Sequence, residues 1–327
     1  MAARGPAPSL GRAHPVIATI TLNPSLDEWM QLSSLRVGRL NRATGFARYP
    51  GGKGINVSRV VHELGGHTVA FGLAGGDDGL ILRELMNRLA LPHRFIPVAG
   101  STRNNYKILT DDPAGLTEIN TAGPVVSRRV LAALQRTVLT HRPAPAAVVL
   151  SGSLPPGAPV HVYQRWIRLL QARDIPTVLD ASGAALRHGL RAHPWCIKPN
   201  RDEAAEVLRT RLTTVTQCVH GMQRLLQMGP RIVMLSLGRD GALLGCAHTR
   251  EVWQAVPPRI RARSAVGAGD SLIGGFLTGW VRGQPLQDAF RLGVASGTAT
   301  AMTPGTELCH RADVMRMLRR VTIKRVA

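Results

Sequence analysis

Cysteine is scarce: four residues in 327, Cys196, Cys218, Cys246 and Cys309, lie far apart without a CxxC pair or an adjoining histidine ladder. This argues against structural zinc and against a disulfide framework, so reduced and mostly buried thiols are expected. Aromatic residues make up only 4% of the chain, too few for a platform that stacks bases. Acidic residues are few as well, 20 against 41 Lys+Arg, giving a net charge of +21. Such an excess attracts polyanions. The arginines are nevertheless scattered, and the densest cluster is only the terminal 316–325 segment, so an anionic small substrate is expected and a nucleic-acid partner is not. No apolar run approaches the roughly 20 residues of a membrane span, and the N-terminus lacks an apolar signal core. A soluble, cytoplasmic protein without a membrane partner is expected.

What is present suffices for a substantial core, with 44% apolar residues. Residues 1–14, rich in Ala, Pro, Gly and Arg and free of acid, read as a flexible extension. From residue 15 onward, β-branched runs at 16–22, 68–73, 147–150, 177–180, 195–198 and 232–236 read as strands. Helical periods separate them. This alternation predicts an α/β fold with a mostly parallel central sheet and helices on both faces. Two stretches break the pattern, about 29–49 and 94–121, and their short alternating pieces predict a small β-sheet lid on a single domain, 15–327. Ligands of such folds sit beyond the carboxyl ends of strands, where Asp27, Ser151, Asp180, Asn200 and Ser236 recur.

The central stretch runs from Ser264 through Gly267-Ala268-Gly269-Asp270 into an apolar helix. Small residues admit a ligand close to the backbone, and a helix N-terminus offers free N–H groups and a positive dipole end to phosphate. Asp270 beside such a hole reads either as a helix cap or as a base taking a proton from a hydroxyl. Gly51-Gly52-Lys53-Gly54 is not a P-loop, because glycine follows the lysine where Ser or Thr is needed. Leu272 occupies the third glycine position of a dinucleotide fingerprint, which excludes that motif too. Lys53 at a helix start is either an exposed turn residue or the partner of a bound anion. Arg103 offers a fork for phosphate or a solvated guanidinium. Asn200 and Glu203, three apart, read as a helix start or as groups around a hydrated Mg²⁺. The stretch from Ser236 through Gly238 to Gly241 reads as a hairpin turn or a nucleotide contact.

Seven ordered motifs together make the chain similar to the ribokinase-type sugar kinases of the phosphofructokinase B family, from about Val16 to Val314. They are Thr21-Leu22-Asn23-Pro24-Ser25-Leu26-Asp27, Gly51 through Arg59, Thr102-Arg103-Asn104, Ser151 through Gly157, Lys198-Pro199-Asn200 with Glu203, Ser236-Leu237-Gly238 with Gly241, and Val266 through Ser271. The resemblance implies phosphoryl transfer from ATP, with Mg²⁺, to a hydroxyl of a ketohexose phosphate. By similarity Asp270 would be the base, with a depressed pKa, and Gly267, Ala268 and Gly269 the anion hole. Asp27, Gly52 and Asn56 would hold the sugar, Lys53 and Arg103 its phosphate, with Ser151 nearby. Asn200, Glu203, Ser236, Gly238 and Gly241 would serve ATP, with Glu203 reaching Mg²⁺ through water. The substrate-side motifs, with Leu116-Thr117-Glu118-Ile119-Asn120, look more like 1-phosphofructokinases and tagatose-6-phosphate kinases, whereas Gly305-Thr306-Glu307-Leu308-Cys309 looks more like the minor 6-phosphofructokinases. Fructose 1-phosphate is the preferred expectation. The resemblance also implies a homodimer formed through the lid.

Overall fold

The structure, a computed structural model, describes residues 14–327; the expected extension at 1–14 lies almost wholly outside the described residues. In chain order the elements are β1 (Val16–Thr21), β2 (Ser25–Leu32), β3 (Gly45–Gly51), α1 (Lys53–Glu63), β4 (His67–Ala74), α2 (Gly76–Arg88), β5 (His93–Pro97), β6 (Arg103–Asp111), β7 (Ala114–Asn120) and α3 (Arg128–Leu139). There follow β8 (Ala147–Ser151), α4 (Val162–Gln171), β9 (Thr177–Asp180), α5 (Gly183–Leu190), β10 (Cys196–Ile197), α6 (Arg201–Leu208), α7 (Val215–Gln227) and β11 (Ile232–Ser236). The chain closes with β12 (Ala242–Cys246), β13 (Val252–Val256), α8 (Ala268–Val281), α9 (Leu286–Ala301), α10 (Arg311–Leu318) and β14 (Thr322–Arg325).

Ten strands form the main sheet in the order β14-β13-β12-β11-β10-β9-β8-β1-β4-β5. Pairing is parallel from β11 through to β5 and antiparallel from β11 outward to β14. The β-branched centre of the sheet is buried on both faces, as parallel strands between helices require. Along β1, Ala18 and Ile20 enter one apolar cluster with α3, α4, α5 and α7, while Ile17 enters another with α1, α8, α9 and α10. Alternation of side chains along the strand makes this division. The α1 face carries a buried polar relay instead of a wholly apolar contact: Ser58 Oγ lies 2.8 Å from Thr19 Oγ1 and 2.8 Å from Thr68 Oγ1. Each hydroxyl finds a partner, which offsets the cost of burying it.

A second, smaller sheet, β3-β2-β6-β7, occupies the stretches expected as the lid. Its membership differs from expectation at one strand. The 94–98 run joins the main sheet as β5, parallel to β4, because Phe95 packs with Ala70, Leu82 and Met86 in a small core under α2. Asp27 lies inside lid strand β2, whereas the sequence reading set it just beyond β1. The Ser236–Gly241 turn is a hairpin: a 3-10 turn at Gly238–Asp240 reverses β11 into antiparallel β12.

Candidate active site

Register assembles the floor of the cleft. Thr21 is opposite Ser151 and Ser151 is opposite Asp180 at the carboxyl ends of β1, β8 and β9. An isolated parallel bridge sets Asn200 beside Ser236 further along the same edge. Three polar atoms of this row, Thr21 Oγ1, Ser151 Oγ and Asp180 Oδ2, are buried without a hydrogen-bond partner among the described residues. Buried polar atoms left unpaired call for a partner, and three side by side at one strand edge suit a bound ligand. The chain approaches them closely: a Cβ at Gly54 would lie 2.5 Å from Thr21 Oγ1 and 3.1 Å from Ser151 Oγ. Tyr163 of α4 holds the strand end from beneath, its hydroxyl donating to the carbonyls of Ser151 and Gly152 at 3.1 Å each.

Helix α8 points its N-terminus into this row. Gly267 is the N-cap, with φ 78°, a left-handed conformation that glycine adopts without penalty. The helix then starts without a side-chain cap, which leaves its first N–H groups and positive dipole end toward the cleft. Lys198 supplies further positive charge there, since a Cβ at Gly269 would meet its Nζ at 3.1 Å. Lys53 Nζ donates to Asp180 Oδ1 at 3.1 Å, and Lys198 Nζ lies 3.4 Å from the same oxygen. Burial opposes the Lys53 charge, but Asp180, Asp270 and Glu203 outweigh it and raise its pKa. Two ammonium groups and a helix N-terminus around one buried carboxylate make a pocket suited to a phosphoryl group.

Asp270 stands in the first turn of α8, buried, with Oδ2 accepting from Asn56 Nδ2 at 2.9 Å. Its pKa is not depressed, as the sequence reading expected. Burial, followed by the charge of Asp180, pushes it up to about 6, against the opposing pull of Lys53, Asn56 and Lys198. A carboxyl at that level is largely ionised at neutral pH and is a stronger base than an ordinary carboxylate.

The lid contributes a second polar group. Asp27 Oδ1 accepts from Ser25 Oγ at 2.9 Å and from Asn105 Nδ2 at 3.0 Å, and Lys107 Nζ lies 3.7 Å from Oδ2. Arg103 donates to the Asn23 carbonyl at 3.2 Å and to Asn105 Oδ1 at 3.1 Å, and burial lowers its pKa against the pull of Asp27. Arg103, Asn105 and Lys107 share one face of β6, spaced by two. Of these, Asn105 and Lys107 were missed in the sequence reading, although their alternation with Arg103 was the signal. Asp180 and Lys198 stand out in the sequence only by position and within a motif, because the pairing of Asp180 with Lys53 spans 127 residues and its pairing with Lys198 joins two strand ends.

The third group is less open to a single reading. Asn200 and Glu203 form a capping box, with Asn200 Oδ1 accepting from the Glu203 N–H and Glu203 Oε2 from the Asn200 N–H, both at 2.8 Å. Gly241 is required by the hairpin, since a Cβ there would meet the Ala255 carbonyl at 2.0 Å, whereas Gly238 faces open space. Gly52, at φ 117°, caps α1, and a Cβ there would meet Thr21 Cγ2 at 2.7 Å. Among the described residues no three of His, Cys, Asp and Glu converge to hold a metal ion, and no helix is long and apolar enough to cross a membrane.

Comparison with known proteins agrees with this layout. The pfkB family carbohydrate kinase model matches residues 20–313. A 1-phosphofructokinase of Bacillus subtilis is 37% identical over 312 residues, covering 95% of this chain and all of the relative. The ATP-dependent 6-phosphofructokinase isozyme 2 of Mycobacterium tuberculosis is 36% identical over 307 residues, covering 92% of this chain and 88% of the relative. The crystal structure of phosphofructokinase-2 from Escherichia coli in complex with substrates and products superposes with a TM-score of 0.87 at 30% identity, covering 93% of this chain and 98% of that one. The chain, with its α8 N-terminus, buried Asp270 and four-stranded lid, belongs to the pfkB family of carbohydrate kinases.

Proposed function

We propose that this kinase transfers the γ-phosphoryl group of ATP to the 6-hydroxyl of fructose 1-phosphate, giving fructose 1,6-bisphosphate and ADP. The observation that carries the reading is the Asp270 carboxyl held by Asn56 at the N-terminus of α8, with Lys53 and Lys198 gathered at Asp180 beside it. Asp270 takes the proton of the attacking hydroxyl as the O–P bond to the sugar forms and the bond to ADP breaks. The first-turn N–H groups of α8, with Gly267, Ala268 and Gly269 keeping the backbone close, receive the moving phosphoryl group. A loose transition state of this kind needs alignment and charge stabilisation more than a strong base.

The sugar falls to Asp27, Gly52 and Asn56, and its phosphate to Arg103, with Ser151 and Lys107 at hand. Lys53, tied to Asp180 and within the fields of Asp270 and Glu203, suits the transferring phosphoryl group at least as well as the substrate phosphate. ATP lies along Asn200, Ser236, Gly238 and Gly241. The donor set fits Mg²⁺ that arrives with the nucleotide, because one carboxylate with waters and phosphate oxygens is what Mg²⁺ prefers. Glu203 would hold it through water, and the ion would neutralise charge on the phosphates.

Of the relatives matched by sequence, one is named a 1-phosphofructokinase and the other a 6-phosphofructokinase. The 6-phosphate is the second reading, favoured by the 305–309 stretch. Assembly as a homodimer through the lid is supported by apolar side chains exposed there, among them Phe46 and Ile119. The test of substrate is ADP release with MgATP against fructose 1-phosphate, fructose 6-phosphate, tagatose 6-phosphate, free fructose and adenosine. Preference for fructose 1-phosphate is expected; preference for either unphosphorylated acceptor would overturn the reading.

A further inference from the structure

The Asn56 side chain is held at both ends. Nδ2 donates to Asp270 Oδ2 at 2.9 Å, and Oδ1 accepts from Arg59 Nη1 at 3.3 Å. A guanidinium carries five donors and no acceptor, so Arg59 decides which end of the amide is the carbonyl. Arg59 sits three residues along α1 from Asn56, and its guanidinium lies over the ring of Tyr49 on lid strand β3, 5.8 Å from the centroid. Burial lowers its pKa, with Asp27 of β2 opposing most and then Tyr49, Cys309 and Glu307. Among the described residues it makes no ion pair with a carboxylate. A half-buried cation whose side-chain hydrogen bond goes to a neutral amide calls for an account other than charge pairing.

We infer that Arg59 is a positioning residue for the catalytic base: its donors lock the Asn56 amide in the orientation that presents Nδ2 to Asp270, through a link that begins on the lid. The inference rests on Asp270 being the base. Reversal of the amide would turn Oδ1 toward the carboxylate, an arrangement that a protonated Asp270 tolerates and an ionised one does not. Holding the amide leaves Asp270 Oδ1 as the oxygen free to take the substrate proton. The other groups facing Asp270, namely Asp180 at the end of β9, Lys53 of α1 and Lys198 after β10, remain in place whichever way the amide points.

The test is the pH dependence of kcat for Arg59→Met, Arg59→Gln and Arg59→Lys beside the wild-type enzyme, with Asp270→Asn as reference. In the wild type the acid limb should fall near the Asp270 pKa, and Asp270→Asn should lower turnover by roughly a thousandfold or more. If Asp270→Asn keeps its turnover, the assignment of the base fails and this inference falls with it. With that assignment intact, Arg59→Met should move the acid limb up by about half to one pH unit. Arg59→Lys and Arg59→Gln, which keep donors, should move it less. An unmoved limb in Arg59→Met, with loss confined to the KM of the phosphosugar or to melting temperature, overturns the inference. So does a Gln variant that matches Met, since the neutral donor would then count for nothing and charge alone would be at work.

Discussion

Lys53 Nζ and Asp180 Oδ1 stand 3.1 Å apart, joining the first residue of α1 to the last residue of β9. Burial would raise the Asp180 carboxyl, but Lys198 and then Lys53 more than offset it and hold its pKa below the ordinary carboxylate value. A depressed carboxyl contributes stability that is present above the ordinary carboxylate value and is lost as pH falls from there through the lower folded-state pKa. Asp180→Asn removes the counter-charge from both lysines and should cost about 3 kcal/mol, toward the lower end for a broken buried pair because Lys53 is partly solvated. Thermal or urea unfolding checks this. The same variant relieves Asp270 of its neighbour, so the acid limb of the pH profile should move to lower pH while turnover falls.

Asp270→Asn should separate stability from activity. The folded-state carboxyl is held up at about 6, so its ionisation opposes folding progressively between the ordinary carboxylate value and about pH 6 and remains a cost at pH 7. Replacing it with a neutral amide that can still accept from Asn56 should stabilise the fold by about 2 kcal/mol at pH 7. Turnover should fall by roughly a thousandfold or more, as loss of a general base together with its alignment requires. Unfolding curves at pH 7 and pH 5 check the sign: the gain over the wild type should shrink at the lower pH.

Much of this arrangement was legible in the chain and part was not. The strand–helix alternation gave the main sheet because β-branched runs such as Val16–Thr21 are short, buried and separated by periodic helices. The edge beyond β11 was less visible, since β12 and β13 are ordinary hairpin strands and β14 is a mostly exposed segment at the C-terminus. Residue Asp270 was evident from its glycine turn, but the direction of its pKa shift was not. Burial and the charge of Asp180, 90 positions away in sequence, decide that direction, and neither has a local signature. Lys107 was hidden by its strand, which reads as alternating lid sequence until β2 is set beside β6 and Asp27 comes within 3.7 Å.

Two glycines of the α8 turn should respond differently. Gly267 has a left-handed φ of 78° and a Cβ there would lie 2.5 Å from Leu308 Cδ2, so Gly267→Ala should cost about 1–3 kcal/mol of stability as well as activity. At Gly269 a Cβ would meet only the far end of Lys198, at 3.1 Å from Nζ. Gly269→Ala should therefore leave melting within a few degrees of the wild type and depress kcat, as the lysine and the added methyl crowd the phosphoryl pocket. Melting temperature and kcat measured on both variants decide the matter.

Glu203 closes a capping box, and the Mg²⁺ role proposed for it can be separated from that by substitution. Its carboxylate closes the capping box with Asn200, and Gln at the third helical position closes the same box. Glu203→Gln should therefore keep the fold while raising the Mg²⁺ concentration needed for half-maximal rate by about tenfold, whereas Glu203→Ala should also lose about 1 kcal/mol of stability. A Mg²⁺ titration of the rate that is unchanged in Glu203→Gln would confine this residue to the cap.

The most direct test of phosphoryl transfer to a phosphosugar is a ³¹P NMR time course of the enzyme with MgATP and fructose 1-phosphate. A second phosphomonoester resonance, growing in step with ADP while the first persists, is the predicted result. Growth of inorganic phosphate alone, or ADP without a new sugar-phosphate resonance, would contradict it.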